Sequence, residues 1–121
     1  MVGSASELLR FFERLRRGGD PIVSDASVAQ MTRNQNATLP SHAQGPTPGW
    51  GFGFGGAVLV DPSAASTPQS PGTWQWGGVY GHSWFVDPQR RLTVVALTNA
   101  VLEGLYGRFP IDVRDAIYRA L

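Results

Sequence analysis

The run Trp74-Gln75-Trp76-Gly77-Gly78-Val79-Tyr80-Gly81-His82-Ser83-Trp84-Phe85-Val86-Asp87-Pro88 constrains the fold more than any other part of the chain. Large aromatics alternate with β-forming residues, and the run closes on a turn dipeptide. Glycine inside a strand costs about 0.5–1 kcal/mol relative to alanine. A Gly-Gly pair among tryptophans therefore marks a bulge or a point where something approaches the backbone closely. Asp87-Pro88-Gln89-Arg90 lies at hairpin distance between this run and Leu92–Thr98, because proline presets φ and aspartate bonds the turn backbone.

The rest of the chain supplies helices and further strands around that core. Ser4-Ala5-Ser6-Glu7 has capping-box form, and Ala5, Leu8, Leu9, Phe12 and Leu15 follow at helical spacing until Gly18-Gly19-Asp20-Pro21. This pattern predicts a helix from about Ala5 to Arg17. Ser24 caps a second, shorter helix carrying Val28 and Met31, so residues 4–33 are read as helical. The polar stretch 34–48 has no period and is read as a loop. Trp50-Gly51-Phe52-Gly53-Phe54-Gly55-Gly56 running into Ala57–Val60 is read as one strand, bent at its glycines. Residues 63–72 form an exposed excursion. Three more strands are expected at about Gly72–Val79, Ser83–Val86 and Leu92–Thr98. The last is apolar almost continuously, the pattern of a strand covered on both faces. A final helix spans about 109–121, with Pro110 at its start and Val113, Ala116 and Ile117 facing the sheet. The fold class is α+β: an antiparallel meander over residues 49–99 with flanking helices, in a single domain.

Composition removes whole classes of function. All ten cationic side chains are arginine and the formal net charge is only +1, so no strong field points to nucleic acid or an anionic membrane. Arg10, Arg14, Arg16 and Arg17 crowd the end of the first helix, where cations suit its dipole. Without lysine there is no phosphate-cradling Gly-x-x-x-x-Gly-Lys motif. Without cysteine there is neither disulfide framework nor thiolate chemistry, which suits the cytoplasm without excluding a secreted protein. No apolar run is long enough to span a membrane, and no signal-type apolar segment follows Met1. His42 and His82 have no further ligand at metal spacing, so neither a metal nor another cofactor is expected. Asp61 and Asp87 both precede proline and are read as turn residues.

What remains is the opening run. Trp74, Trp76 and Trp84 offer broad apolar faces with N–H handles that could line a cleft. Gly77-Gly78 would let a ligand reach main-chain groups, one of which could serve as an oxyanion donor. The same residues also fit a Trp-rich sheet core in which the glycines relieve crowding.

Residues Gly72–Pro88 followed by Leu92-Thr93-Val94-Val95-Ala96-Leu97-Thr98-Asn99 closely resemble the C-terminal region of the serine β-lactamase and penicillin-binding-protein-like hydrolases. More narrowly, they resemble the class C β-lactamase-related serine hydrolases and family VIII esterases. The flanks agree: the first helix with its Gly-Gly stop, Ile22–Met31, and the entry strand Gly49–Gly53. The resemblance implies the C-terminal portion of a β-lactamase/transpeptidase-like fold. It implies hydrolysis of a small ester, amide or β-lactam through an acyl-enzyme. It places Trp76, Gly77 and Gly78 at the family's Lys-Thr-Gly-type triplet, the Val79 backbone N–H as oxyanion donor, and Tyr80 along the same cleft. His82 would reach the pocket rim or serve structurally.

The departure is as informative as the match. The family's Ser-x-x-Lys is impossible in a chain without lysine. Tyr80, Tyr106 and Tyr118 are followed two positions on by His82, Arg108 and Ala120, so Tyr-x-Asn/Ser is missing too. A serine nucleophile needs such a partner to take its proton. The chain is therefore expected to be a substrate-lining segment inactive by itself, whether or not it is counted an enzyme. Its expected partners are the missing N-terminal portion of the hydrolase, or a second copy paired through the open edge Leu92–Thr98. A non-catalytic binding or assembly module built on the Trp/Gly strand is the alternative.

Overall fold

The computed structural model describes residues 3–37 and 47–121, apart from the side chain of Tyr106. His42 and the centre of the expected loop lie outside the described residues. Helix α1 spans Ala5–Arg16, and its capping box is formed: the Glu7 N–H donates to Ser4 Oγ at 3.3 Å while the Ser4 N–H donates to Glu7 Oε2 at 2.7 Å. It stops because Gly18 and Gly19 take φ of 108° and 93°, letting the Gly19 N–H return to the Arg14 carbonyl at 2.8 Å. Helix α2, Asp25–Met31, is capped by Ser24, whose Oγ accepts from the Ser27 N–H at 3.2 Å.

Five antiparallel strands follow in spatial order β1-β2-β3-β4-β5: Trp50–Phe52, Ala57–Leu59, Trp74–Gly77, His82–Asp87 and Leu92–Leu97. The expected single strand over residues 50–60 is in fact a hairpin, with Trp50 opposite Leu59 and Phe52 opposite Ala57. Its turn closes through the Gly53 N–H to the Gly56 carbonyl at 2.9 Å, with Gly56 at φ 153°. Aromatic-glycine alternation continues through that turn, and this hides the reversal in sequence. A further one-turn helix, α3 (Glu103–Tyr106), was not expected; α4 follows over Phe109–Ala120 with Pro110 in its first turn.

The sheet has two differently covered faces. On one, α1 lays Phe12 and Leu15 against Val58, Trp74 and Val86. The Phe12 ring stacks on Trp84 at 4.1 Å and meets the edge of Trp74 at 5.7 Å. The Thr93 hydroxyl donates to Glu13, fastening α1 to β5. On the other face Trp50, Ala57 and Leu59 form a smaller cluster, and α4 approaches through Tyr118, 6.1 Å from Phe85. The cover over β5 is thinner than its sequence predicts: Leu92–Ala96 are half-buried and Leu97 is 46% exposed.

Asp87 does more than the turn role assigned to it. Fully buried, its carboxylate accepts the Arg90 N–H at 3.0 Å, the Ser70 N–H at 3.0 Å and the Tyr118 hydroxyl at 2.5 Å. One side chain thus joins the β4–β5 turn, the loop before β3 and helix α4. Asp61 keeps its local role, accepting the Ser63 and Ala64 amides at 2.9 and 3.1 Å.

The two sheet edges differ. The outer side of β1 is covered by the segment after α2: the Phe52 N–H donates to Asn34 Oδ1 at 3.2 Å, the Gln35 N–H to the Phe52 carbonyl at 2.7 Å, and the Phe54 N–H to the Met31 carbonyl at 3.0 Å. The outer side of β5 pairs with no strand among the described residues.

Candidate functional site

The candidate residues gather where β3 turns into β4. Trp76 and Gly77 end β3, paired with Trp84 and Ser83, and Gly78 to Gly81 make the connection. The turn is fixed by main-chain bonds: the Gly78 N–H donates to the His82 carbonyl at 2.9 Å, the Gly81 N–H to the Gly78 carbonyl at 3.0 Å, and the Leu102 N–H to the Val79 carbonyl at 2.6 Å. The Val79 N–H finds no hydrogen-bond acceptor among the described residues. Its position is nonetheless fixed, since the amide before it and the carbonyl after it are both engaged. A rigid, unpaired main-chain donor beside an open surface is the element an oxyanion requires.

The tryptophans divide. Trp74 is 3% exposed and Trp84 half-buried, and both belong to the core formed with Phe12. The cleft-lining role open to all three in the sequence is therefore corrected for Trp74, which α1 covers, while Trp84 packs on Phe12 and also borders the hollow that Trp76 touches. Trp76 is 42% exposed and its ring lies 5.3 Å from that of Phe52. Tyr80, at the tip, is 76% exposed, and Val79 also shows its side chain to solvent.

The glycine pair is explained by the chain's own packing. A Cβ on Gly77 would stand 1.9 Å from the Gly104 carbonyl oxygen, and one on Gly78 would stand 1.9 Å from Cε1 of His82. Helix α3 thus backs the pair on one side and the imidazole of His82 lies over the other. His82 is exposed and opens β4, so it braces the turn at the site's edge. Gly104 had no sequence signal, since a one-turn helix has too few residues to show a period.

The groups with displaced pKa values lie away from the turn between β3 and β4. Hydrogen bonding to Arg16 holds Glu13 down at about 2 against the opposing effect of burial, with Thr93 assisting. Burial would raise Asp87, but the Tyr118 hydroxyl and the Ser70 and Arg90 amides hold it below its ordinary value. Tyr118 is pushed up by burial and by Asp87. All three are structural ties. No cluster of three side chains able to hold a metal occurs among the described residues.

A hollow of about 510 Å³ lies away from the turn that carries Val79 and Tyr80. It lies between the sheet and α3–α4, lined by Gln75, Ser83, Phe85, Val94, Ile111 and Val113 among others. Trp76 and Gly77 touch it, while Val79 and Tyr80 lie outside it. A smaller hollow flanks the other side of β5, between Leu9 and Val95.

Comparison with known proteins gives a consistent relationship. A family model described as Beta-lactamase matches residues 1–114. Esterase EstB of Burkholderia gladioli is 48% identical over 118 residues, which are 98% of this chain and 29% of that protein. The solved structure of EstCE1, a hydrolase with promiscuous acyltransferase activity, superposes with a TM-score of 0.85 at 54% identity, covering 96% of this chain and 30% of that one. Simvastatin synthase (LovD) from Aspergillus terreus shares the fold, with a TM-score of 0.67 at 15% identity over 88% of this chain. The chain therefore spans about three-tenths of the length of the relatives it matches.

Proposed function

This chain belongs to the beta-lactamase family, and on that footing we propose that it is the substrate-lining C-terminal segment of an esterase-like serine hydrolase. The observation that carries the reading is the Val79 amide just past β3, held in place and without a hydrogen-bond acceptor among the described residues. In the reaction, a serine from the complementary segment attacks the ester carbonyl carbon and gives its proton to a neighbouring base. The carbonyl oxygen becomes an oxyanion that accepts the Val79 N–H. Its collapse expels the alcohol, which takes up the proton, and leaves the acyl group on serine for water to remove. Trp76, Gly77 and Gly78 form the wall beside that oxyanion, with Tyr80 at its mouth. Serine and base must come from outside this chain, so the chain alone is inactive.

The matching relatives Esterase EstB and EstCE1 are more than three times as long, and the outer side of β5, which pairs with no strand among the described residues, is where a complementary segment can add a strand. The test is to co-express the chain with the N-terminal portion of Esterase EstB and follow p-nitrophenyl ester hydrolysis. Val79→Pro removes the amide without breaking any internal hydrogen bond made by the described residues. Loss of one oxyanion donor lowers kcat by about 100-fold or more. Hydrolysis by the chain alone, or a Val79→Pro complex of undiminished kcat, would refute the proposal.

A further inference from the structure

The exposed Trp76 does not stand alone. Its ring meets that of Phe52 at 5.3 Å and 59°, and Phe52 ends β1 opposite Ala57. Both main-chain groups of Phe52 are engaged by the segment after α2, through Asn34 Oδ1 and the Gln35 N–H. The glycines on either side permit that approach. A Cβ on Gly51 would stand 2.3 Å from the Asn34 amide, and one on Gly53 would stand 2.1 Å from the Met31 carbonyl. The chain thus surrenders side chains at two positions so that Met31–Gln35 can grip Phe52 between them.

At the same end of the sheet stand Phe54, 73% exposed, and Tyr80. Trp50, Trp74 and Trp84 each have a place in, or packed against, the two core clusters; Trp76 belongs to neither and rests on Phe52. A half-exposed indole not fixed by a neighbour must be ordered by its ligand, which weakens binding; one already fixed presents its face at once.

We propose that Phe52 is a positioning residue for Trp76, and that the pair forms an apolar platform selecting esters with an extended hydrocarbon or aryl group over short polar ones. The inference rests on the reading of Trp76 as part of the substrate-lining wall. Phe52 touches no reacting atom in this scheme. It acts by holding the indole in one orientation, which α2 and Asn34 secure from behind.

The chain supplies its own test, because its four tryptophans give separate fluorine signals when replaced by 5-fluorotryptophan, and Trp76→Phe assigns the one that matters. Ethyl octanoate should shift the Trp76 signal saturably at a concentration about tenfold below that needed with ethyl acetate. Phe52→Met, which keeps apolar volume but loses the ring, should bring the two esters within about twofold and leave the Trp74 and Trp84 signals in place. Phe52→Tyr should retain the preference. A Trp76 signal that responds to neither ester, or a preference unchanged by Phe52→Met or lost in Phe52→Tyr, overturns the proposal. In the complex with the EstB portion, hydrolysis that is indifferent to ester length and to Phe52→Met defeats this inference and leaves the hydrolase reading intact. Absence of hydrolysis with the fluorine response preserved defeats only the catalytic reading.

Discussion

The glycine pair at the turn permits a double-mutant cycle whose outcome follows from what each glycine faces. A Cβ at Gly77 would lie 1.9 Å from a main-chain carbonyl oxygen, about 1.5 Å inside the 3.4 Å at which ordinary contact begins. Main chain cannot rotate aside, so α3 must move, straining the bond from the Leu102 N–H to the Val79 carbonyl. Overpacking of this kind costs about 1–3 kcal/mol, and the strained hydrogen bond adds about 1 kcal/mol. Gly77→Ala should therefore destabilise by about 2–4 kcal/mol. At Gly78 the same 1.9 Å is measured to an imidazole carbon of exposed His82, and a side chain at the surface can swing away. Gly78→Ala should cost only about 1 kcal/mol. In a His82→Ala background the obstacle is gone, and alanine's smaller unfolded-state entropy favours the substitution by about 0.4–1 kcal/mol. The sign of the effect should then reverse. Urea unfolding followed by tryptophan fluorescence at one fixed protein concentration measures all four variants. A Gly77→Ala protein within about 0.5 kcal/mol of the parent, or a Gly78→Ala cost unchanged by removing His82, would show that the close approaches do not govern this turn.

Tyr118→Phe should cost about 1–2 kcal/mol and Asp87→Ala about 3–5 kcal/mol, because the first removes one charge-assisted bond while the second removes all three and leaves two part-buried amides and the Tyr118 hydroxyl without their acceptor; equal losses in urea unfolding would contradict the hub role of Asp87. Glu13 and Asp87 both titrate below their unfolded values, so both stabilise the fold above the ordinary carboxylate range and lose that contribution as pH falls; for Glu13 the loss runs from about pH 4.5 down toward about 2. Glu13→Gln should flatten that acid limb, and a parent curve that is level between these limits would refute the assignment. The chain alone should associate through β5, and Leu97→Lys at the strand's exposed end should shift it toward monomer; light scattering that shows a parent monomer would exclude edge pairing.

Features that depend on a few neighbouring residues were legible in the sequence. Ser4 with Glu7, Ser24, and Gly18-Gly19 fix helix boundaries through bonds within one turn, and the α+β meander followed from strand patterns and turn dipeptides. What could not be read were decisions made across the fold. Alternation places Trp74 and Trp76 on the same side of β3 but cannot say that Phe12 will cover the first and leave the second open. The glycine pair was legible as a close approach, yet the approaching atoms belong to Gly104 and His82 rather than to a ligand. Asp87 displays its turn chemistry in sequence, while its bond to Tyr118 exists only because α4 returns over the sheet. Phe52 gave no functional signal, since an aromatic in an aromatic-glycine run looks like every other one.

The unequal treatment of the two sheet edges connects these observations to function. Pairing the outer side of β1 with the Met31–Gln35 segment requires glycine at positions 51 and 53, and it holds the aromatic end of the sheet in one arrangement before any partner is present. Along β5 the cover is different: one hydroxyl bond from Thr93 to Glu13, half-buried side chains, and hollows on both faces bordered by Val94. An apolar edge in that state gains from a strand added alongside, since pairing satisfies its free main-chain groups. Order is thus built in where the ester would lie and left incomplete where a complementary segment would dock. On the proposed reading that division is what a two-segment hydrolase would need, because the wall would have to hold its geometry through every docking event while the edge stayed available to it.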